Sequence, residues 1–392
     1  MGGGRAFLPL ARGAASGRVT RKLSIVHTEA SCGWGGQEIR VLTEAEGLIG
    51  RGHRVALVAP PAARICEAAR QRGIPVTTLP IEEKTFAALR AMRRWLAANR
   101  SGIDVINTHS SIDSWLVAGA RATLTGAPPM VRTRHVSSPV RKTWGTFWLY
   151  QHATAHIVTT GEALREQLHR DNGYALDSMT SVPTGIDLTR FRPMDSHAAR
   201  AALGLPDRPT IGIVATLRNW KGHMYLLDAF ASLATRHREA QLVIVGDGPQ
   251  RANIERRVAE LDLADAVRIA GQQEDVPIWL GAMDVFALPS YGDEGVPQAI
   301  MQAMACARPV VSTGIGATAE AVVDGETGTL VAPKNAEALA AALERLMNDA
   351  ALRDRYGAAA LVRARERFGL GIMLDRMETV FERYARRTRS TA

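Results

Sequence analysis

The chain has 392 residues, a formal net charge of +9, and 46% hydrophobic, 22% charged and 5% aromatic residues. That composition excludes a mainly disordered chain, and the length predicts two or three domains with cores of their own. Three cysteines, Cys32, Cys66 and Cys306, are too few for a disulfide framework and lack metal-ligand spacing, so the expected setting is reducing and cytoplasmic.

Residues 1–20 read as a disordered tail, because their apolar patch is too short for a signal-peptide core. From Lys22 the pattern becomes regular. Leu23–His27 reads as a buried strand, Cys32–Gly36 as a glycine-rich loop, the stretch around Ile39, Leu42 and Leu48 as a helix, and Val55–Val58 as the next strand. Strands near 75–79, at 105–107, 130–132 and 157–159 then alternate with helices at 84–99, 112–122, 141–153 and 161–170. A second series follows Leu205–Pro209. Its strands lie at 210–215, 241–245, 267–270, 284–288 and 309–312, with helices at 223–237, 250–261, 276–282 and 297–306 between them. A helix at 336–348 and a long arginine-rich helical tail close the chain. This alternation predicts two α/β domains, each a doubly wound parallel sheet, at 21–187 and 205–370, joined by a linker at 188–204. Ligands of such sheets sit outside the carboxyl ends of the strands, so two of them predict a cleft between domains.

The most informative stretch is Tyr291–Ala305, YGDEGVPQAIMQAMA. Pro297 suits the first turn of a helix, and Gly295 lets backbone approach a ligand. The amides of Val296, Pro297 and Gln298 are expected to face an anion at the helix N-terminus, with Glu294 gripping a hydroxylated group beside it. Gln302, eight residues beyond Glu294, is about 12 Å along the axis and about 80° around it. A ligand with sugar, diphosphate and ribose in series matches that span. Gly35 and Gly36 leave backbone free near a phosphate or acceptor. His109 ends the strand Val105–Asn107, and Arg134–His135 follows the next one, on the expected acceptor side. Gly246-Asp247-Gly248-Pro249 imitates a dinucleotide loop, but position 251 is Arg rather than Gly.

The first half carries the charge: residues 1–190 have a net +10, residues 191–392 a net −1. Two stretches there, 84–98 and 141–150, interleave aromatics (Phe86, Trp95, Trp144, Phe147, Trp148) with Lys and Arg. Aromatics beside cations suit an anionic membrane surface, so a peripheral position on the inner face of the plasma membrane is expected. No nucleic-acid motif accompanies the charge, and no apolar run reaches the roughly 18–20 residues that cross a bilayer.

The run from Glu294 to Gln302 resembles the Glu-x7-Glu signature of retaining glycosyltransferase family 4, which has the GT-B fold, and is seen in lipopolysaccharide and cell-envelope synthesis. Gly35-Gly36, Asp104–His109, Lys221-Gly222 and the order of elements over 22–385 support the resemblance. It implies transfer from a nucleoside-diphosphate sugar to a glycan or lipid-linked acceptor, without metal or other cofactor. It further implies that Glu294, Lys221, Arg218 and His109 serve catalysis, with His109 against the transferred sugar. Gly35, Gly36, Gly295, Val296, Pro297, Gln298, Gln302, Thr216 and His135 would line substrate, and helix 371–392 would pack back on the N-terminal domain. Two departures stand out. Gln302 replaces the carboxylate that the family uses on ribose. Thr216 occupies the place of the family's arginine, whose role is expected to pass to Arg218. No Asp-x-Asp occurs in the chain. Two other readings fit the same residues: a non-catalytic sugar-nucleotide-binding protein, and a GT-B epimerase or phosphorylase.

Overall fold

The computed structural model describes residues 21–292 and 294–386. The expected tail 1–20, Asp293, and positions 387–392 of the expected terminal helix lie outside the described residues.

The first series runs β1 (Ser24–Thr28), α1 (Gly36–Gly50), β2 (Arg54–Ala59), α2 (Arg64–Gln71), β3 (Val76–Thr78), α3 (Phe86–Asn99), β4 (Val105–Thr108), α4 (Ser111–Ala122), β5 (Met130–Arg134), α5 (Trp144–Trp148), β6 (His156–Thr159), α6 (Glu162–Asn172) and β7 (Met179–Ser181). After α7 (Ser196–Ala202) the second runs β8 (Thr210–Val214), α8 (His223–Ala234), β9 (Gln241–Val245), α9 (Arg251–Glu260), β10 (Val267–Gly271), α10 (Val276–Ala282), β11 (Val285–Leu288), α11 (Gln298–Ala305), β12 (Val310–Thr313), α12 (Thr318–Ala321) and β13 (Gly328–Val331). Helices α13 (Ala336–Asn348), α14 (Ala350–Arg367) and α15 (Leu370–Tyr384) follow.

The sheets have seven and six strands, in the orders β3-β2-β1-β4-β5-β6-β7 and β10-β9-β8-β11-β12-β13. Both are parallel and doubly wound, so the order reverses between β1 and β4 and again between β8 and β11. Central strands such as β4, β9 and β11 are buried throughout, as strands covered by helices on both faces must be. Several helix starts are written in the sequence. Thr85 caps α3 through the Ala88 N–H, Ser110 and Asp113 form a capping box on α4, and Asp349 caps α14.

Three local departures from the sequence reading have physical causes. The helix expected at 141–153 is α5 followed by a wider π-type turn at Leu149–Ala153, and the Thr154 hydroxyl donates to the Leu149 carbonyl at 2.7 Å across it. Within the stretch read as linker, Ser196–Ala202 forms α7, started by Asp195 capping the Ala198 N–H. The long helical tail is broken at Gly369, where the chain passes the end of the first domain: the Ile186 N–H donates to the Phe368 carbonyl at 2.7 Å, and the Leu370 N–H donates to the Ile186 carbonyl at 2.9 Å.

Beyond that crossing, α15 lies on α1 of the first sheet's domain. Its Met373, Leu374, Met377, Val380 and Phe381 join the core formed by Leu23, Ile25, Val41 and Leu48. Gly47 leaves the space that Leu374 fills. Arg51 pairs with Glu378 at 2.6 Å and Asp375 at 2.7 Å, and the His53 ring meets Glu378 at 2.8 Å. Burying each of Met377 and Phe381 contributes about 1.5–3 kcal/mol.

Candidate active site

Because both sheets reverse order at their centres, four strand ends dominate the space between the domains. In the first, β1 leads into Glu29 and β4 into His109. In the second, β8 leads into Ala215–Lys221 and β11 into Pro289–Gly295.

On the second domain, Glu294 is buried, and its Oε1 accepts from Lys221 Nζ at 2.6 Å and from the Ser290 hydroxyl at 2.7 Å. Lys221 ends a single 3-10 turn, Asn219–Lys221, and Gly222 follows in the left-handed region at φ +80°. A side chain at Gly222 would collide with the Pro289 carbonyl, so the two loops touch through bare backbone. The Tyr291 N–H donates to the Trp220 carbonyl at 2.7 Å and ties them again. Arg218 is exposed, its guanidinium 5.1 Å from the centre of the Trp220 ring. Thr216 and Gln302 are half-buried, and neither hydrogen-bonds to Glu294 or Lys221, whose partners are each other and Ser290. Gly246 and Gly248 press on the carbonyls of Ala215 and Leu217, and the Leu217 N–H donates to the Asp247 carbonyl at 3.0 Å. The loop that imitates a dinucleotide motif is therefore a brace for the Thr216–Lys221 segment.

Helix α11 starts at Gln298, with Pro297 as its cap rather than its first residue. Pro297 has no N–H to offer, so the donors of this turn are Val296, Gln298 and Ala299 rather than the amides of 296–298.

On the first domain, three imidazoles stand in a row. His27 Nδ1 meets His109 Nε2 at 2.8 Å, and His109 Nδ1 meets His135 Nε2 at 2.9 Å. Burial, then the Arg40 guanidinium, pushes His27 down to about 3. Burial and the neighbouring rings hold His109 well below the usual imidazole range, and burial and Arg40 do the same to His135. The row is thus neutral at physiological pH. Behind it Glu44, 3.9 Å from His27 Nε2, is raised by burial to about 7. Beside it lie two further buried carboxyl groups. Glu29 accepts from the Ser31 N–H and the Gln37 amide, and Asp113 accepts from Thr28, Ser110, Ser114 and the His109 N–H. Burial raises the pKa of both.

The two halves meet at close quarters. A Cβ on Gly36 would lie 3.2 Å from Gln298 Oε1, and one on Gly295 would lie 2.8 Å from the Thr160 hydroxyl and 3.2 Å from the His135 carbonyl. Gly35, at φ −176°, is ordinary extended backbone capping α1. Glu320 of α12 reaches across and accepts from the Glu162 and Ala163 N–H groups at 2.8 and 2.7 Å, capping α6 of the other domain. Glu320→Ala is expected to lower stability by about 1 kcal/mol, read as the shift of a urea unfolding midpoint; an unchanged midpoint would remove this bond from the interdomain contact.

The structure therefore joins Glu294 with Lys221, His109 with His135, Gly36 with Gln298, and Gly295 with His135. Residues 34–190 match the family model described as Glycosyltransferase Family 4, and residues 208–349 match that described as Glycosyl transferases group 1. The 2-deoxystreptamine glucosyltransferase of Streptomyces kanamyceticus is 30% identical over 283 residues, 67% of this chain and 71% of that protein. The chain belongs to the glycosyltransferases. The alpha-D-kanosaminyltransferase of the same organism is 29% identical over 64% of this chain and 66% of its own length, just short of two thirds. The lipopolysaccharide core mannosyltransferase LpcC of Rhizobium leguminosarum is 30% identical over 59% of this chain and 64% of its own. A crystal structure of a glycosyltransferase from Rickettsia africae superposes with a TM-score of 0.83 at 20% identity, covering 93% of this chain and 98% of that one. Anabaena HepE in complex with UDP gives 0.81 at 19% identity, covering 92% and 100%. The fold of this glycosyltransferase is GT-B.

Sequence reasoning missed Ser290, His27, Glu29, Asp113, Thr160 and Glu320. The rule that singled out His109, a polar residue at the carboxyl end of an apolar strand, applies equally to His27 and Glu29. Ser290 and Glu320 carried no comparable signal, because their roles exist only once distant segments meet.

Proposed function

We propose that this glycosyltransferase takes a sugar from a nucleoside diphosphate, with retention at the anomeric carbon and without a metal, and delivers it to a glycan or lipid-linked acceptor of the cell envelope. The observation that carries the reading is the Lys221–Glu294–Ser290 cluster at one switch point, set opposite the His109–His135 pair at the other. Departure of the diphosphate builds negative charge on its bridging oxygen. Lys221 and the amides of Val296, Gln298 and Ala299 are the groups that would meet that charge, and each such donor is worth about 3–4 kcal/mol in a closed cleft. Arg218 would join them by leaving the Trp220 ring. Glu294 would hold hydroxyls of the sugar, and Gln302 the ribose. The UDP in the HepE crystal supports a nucleotide donor.

Retention fits the acceptor side. An inverting reaction needs a free base there, whereas the buried carboxyl groups Glu29 and Asp113 are already engaged by Ser31, Gln37, Thr28, Ser110, Ser114 and the His109 N–H. The acceptor hydroxyl would then give its proton to the departing phosphate, beside a neutral His109.

The choice of acceptor rests on the rim of the first domain and on LpcC, whose name places it in lipopolysaccharide core synthesis. Phe86 and Trp144 are 79% and 82% exposed; Trp144 precedes Gly145, which packs against Trp115, and the Lys84 amine lies over the Trp115 ring. Phe147 is exposed as well, whereas Trp95 is half-buried, Trp148 stacks on Trp115 at 6.2 Å, and Met92 and Leu96 of α3 are buried. Exposed aromatics beside cations favour a peripheral position at the inner membrane surface. No described helix is long and apolar enough to cross a membrane.

The test is a thermal-shift panel of the purified protein against UDP-, GDP-, ADP- and CMP-sugars, with and without EDTA. One nucleotide at a hundred times its Kd is expected to add about 2.7 kcal/mol of stability, unchanged by EDTA. A shift that EDTA abolishes would overturn metal independence. No shift with any nucleotide would overturn the donor reading.

A further inference from the structure

Helix α1 buries Val41, Leu42, Ala45 and Leu48 in the core of the first domain, and it also carries two charged side chains inward, Arg40 and Glu44, both fully buried. Arg40 Nε lies 3.6 Å from Glu44 Oε2. Arg40 Nη1 donates to the Val182 carbonyl at 2.6 Å, and Asn107 Nδ2 donates to Glu44 Oε1 at 3.4 Å. A buried ion pair is often no more stabilising than apolar side chains of the same volume, so stability alone does not account for this one. Its neighbour is the imidazole row. His27 Nε2 faces Glu44 Oε1 at 3.9 Å, and His27 Nε2, Arg40 Nε and Glu44 Oε2 are all buried at separations longer than a hydrogen bond.

Both ring nitrogens of His109 are taken inside the row, Nε2 by His27 Nδ1 and Nδ1 by His135 Nε2. A neutral imidazole has one N–H, so the row has only two directions. Either all three rings carry the proton on Nε2, or all three carry it on Nδ1. With the protons on Nε2, His27 turns an N–H to Glu44 and His135 leaves its Nδ1 bare. With the protons on Nδ1, His27 turns a lone pair to Glu44 and His135 presents an N–H. A carboxylate attracts the N–H and repels the lone pair. His135 is the end of the row at the cleft: it is half-buried, it faces Gly295 of the other domain, and its Nδ1 has no hydrogen-bond partner among the described residues.

We propose that Glu44 is a positioning residue: as the carboxylate paired with Arg40 it sets the direction of the row, through His27 and His109, so that His135 offers a bare Nδ1 to a substrate hydroxyl. The hydroxyl rests on the reading that the cleft binds substrate; the direction of the row does not. Protonation of Glu44 reverses the direction. Arg40 Nε and Asn107 Nδ2 are donors, which leaves His27 Nε2 as the acceptor for a proton on Glu44. Besides Arg40 and the row, the described side chains that close this site carry no charge: Met377 of α15 lies beside Arg40, Phe381 of α15 is edge-on to His27, and Thr133 of β5 holds Asn107. Burial raises Glu44 to about 7, whereas the three rings are held far below the usual imidazole range. As pH falls through about 7, one proton taken up at His135 Nδ1 moves each N–H one place along the row and leaves Glu44 protonated, with the rings still neutral.

The experiment uses the full chain labelled with 15N-histidine, whose ring-nitrogen shifts separate N–H from bare nitrogen, and the variant Glu44→Gln. The wild-type row is expected in the Nε2–H form at about pH 8.5 and in the neutral Nδ1–H form at about pH 5.5. In Glu44→Gln the Arg40 guanidinium takes the amide oxygen, the NH2 turns to His27, and the row is expected in the Nδ1–H form at both pH values. With the donor found by thermal shift, kcat of the variant is expected to fall about tenfold while its UDP shift is kept. A wild-type row in the Nδ1–H form at the higher pH, or a variant row that stays in the Nε2–H form, overturns the proposal. So does a wild-type row that keeps its direction at the lower pH, a measurement that stands even where the variant does not fold. A reversed row in the variant with wild-type kcat overturns the contact between His135 Nδ1 and substrate. Loss of the UDP response in the wild type overturns the donor reading instead and leaves the direction of the row as measured.

Discussion

Glu294→Ala is expected to lower kcat/KM by about a hundred- to a thousandfold with the fold intact. The side chain is buried beyond the end of β11 and holds Lys221 at 2.6 Å, so on the proposed reading its removal takes away both a ligand for the sugar and the group that aims the lysine. Lys221→Ala is expected to cost as much. It leaves the Glu294 carboxylate with Ser290 as its remaining partner among the described residues and, on the proposed reading, takes the cation from the leaving group. The two changes act on one unit, so the double variant is expected to be no more than about tenfold worse than the poorer single one. Initial rates with the donor found by thermal shift, together with circular dichroism to verify folding, check this. Wild-type rates in either single variant would remove the pair from the active site.

Gly222→Ala is expected to lower stability by about 2–5 kcal/mol, through left-handed backbone strain and overpacking together. The residue sits at φ +80°, and its missing side chain is where the Pro289 carbonyl lies. Backbone cannot swing aside as a flexible side chain can, so the loop carrying Lys221 must separate from the one carrying Glu294. Activity is expected to fall with stability. Gly173→Ala supplies the comparison: φ is +71° there too, but nothing lies within 4 Å, so strain alone acts and the cost is about 1 kcal/mol. Urea unfolding of the two variants measures the difference; equal midpoints would mean that the Gly222–Pro289 contact yields freely.

The alternation of strands and helices was legible because parallel strands are covered on both faces and appear as unbroken apolar runs, as in Leu242–Val245 and Val285–Leu288. Two of the four edge strands, β7 and β13, were not. β7 reads Met-Thr-Ser and β13 begins with Gly328, and neither shows an apolar run. Glu294, Lys221 and His109 were legible as residues, through their place at strand ends and through the family resemblance. Their partners were not. The Lys221–Glu294 bond joins positions 73 apart, the His27–His109 contact joins positions 82 apart, and Glu320 reaches 158 residues back to Glu162. No local pattern records such meetings. The amides of α11 show the converse error: a helix start was placed correctly to within a residue, yet Pro297 was counted among the donors although its ring leaves no N–H.

The packing of α15 on α1 has a consequence for synthesis on the ribosome. Domains generally fold as units in the order they emerge, N-terminal first. Here the interior of the first domain includes Met373, Leu374, Met377, Val380 and Phe381, which are translated after the whole of the second. The first domain must wait, with the apolar face of α1 unfilled, until the last helix leaves the exit tunnel. Its completion is thus coupled to the emergence of α15, and a nascent chain stalled before residue 370 would present that open face to chaperones and proteases.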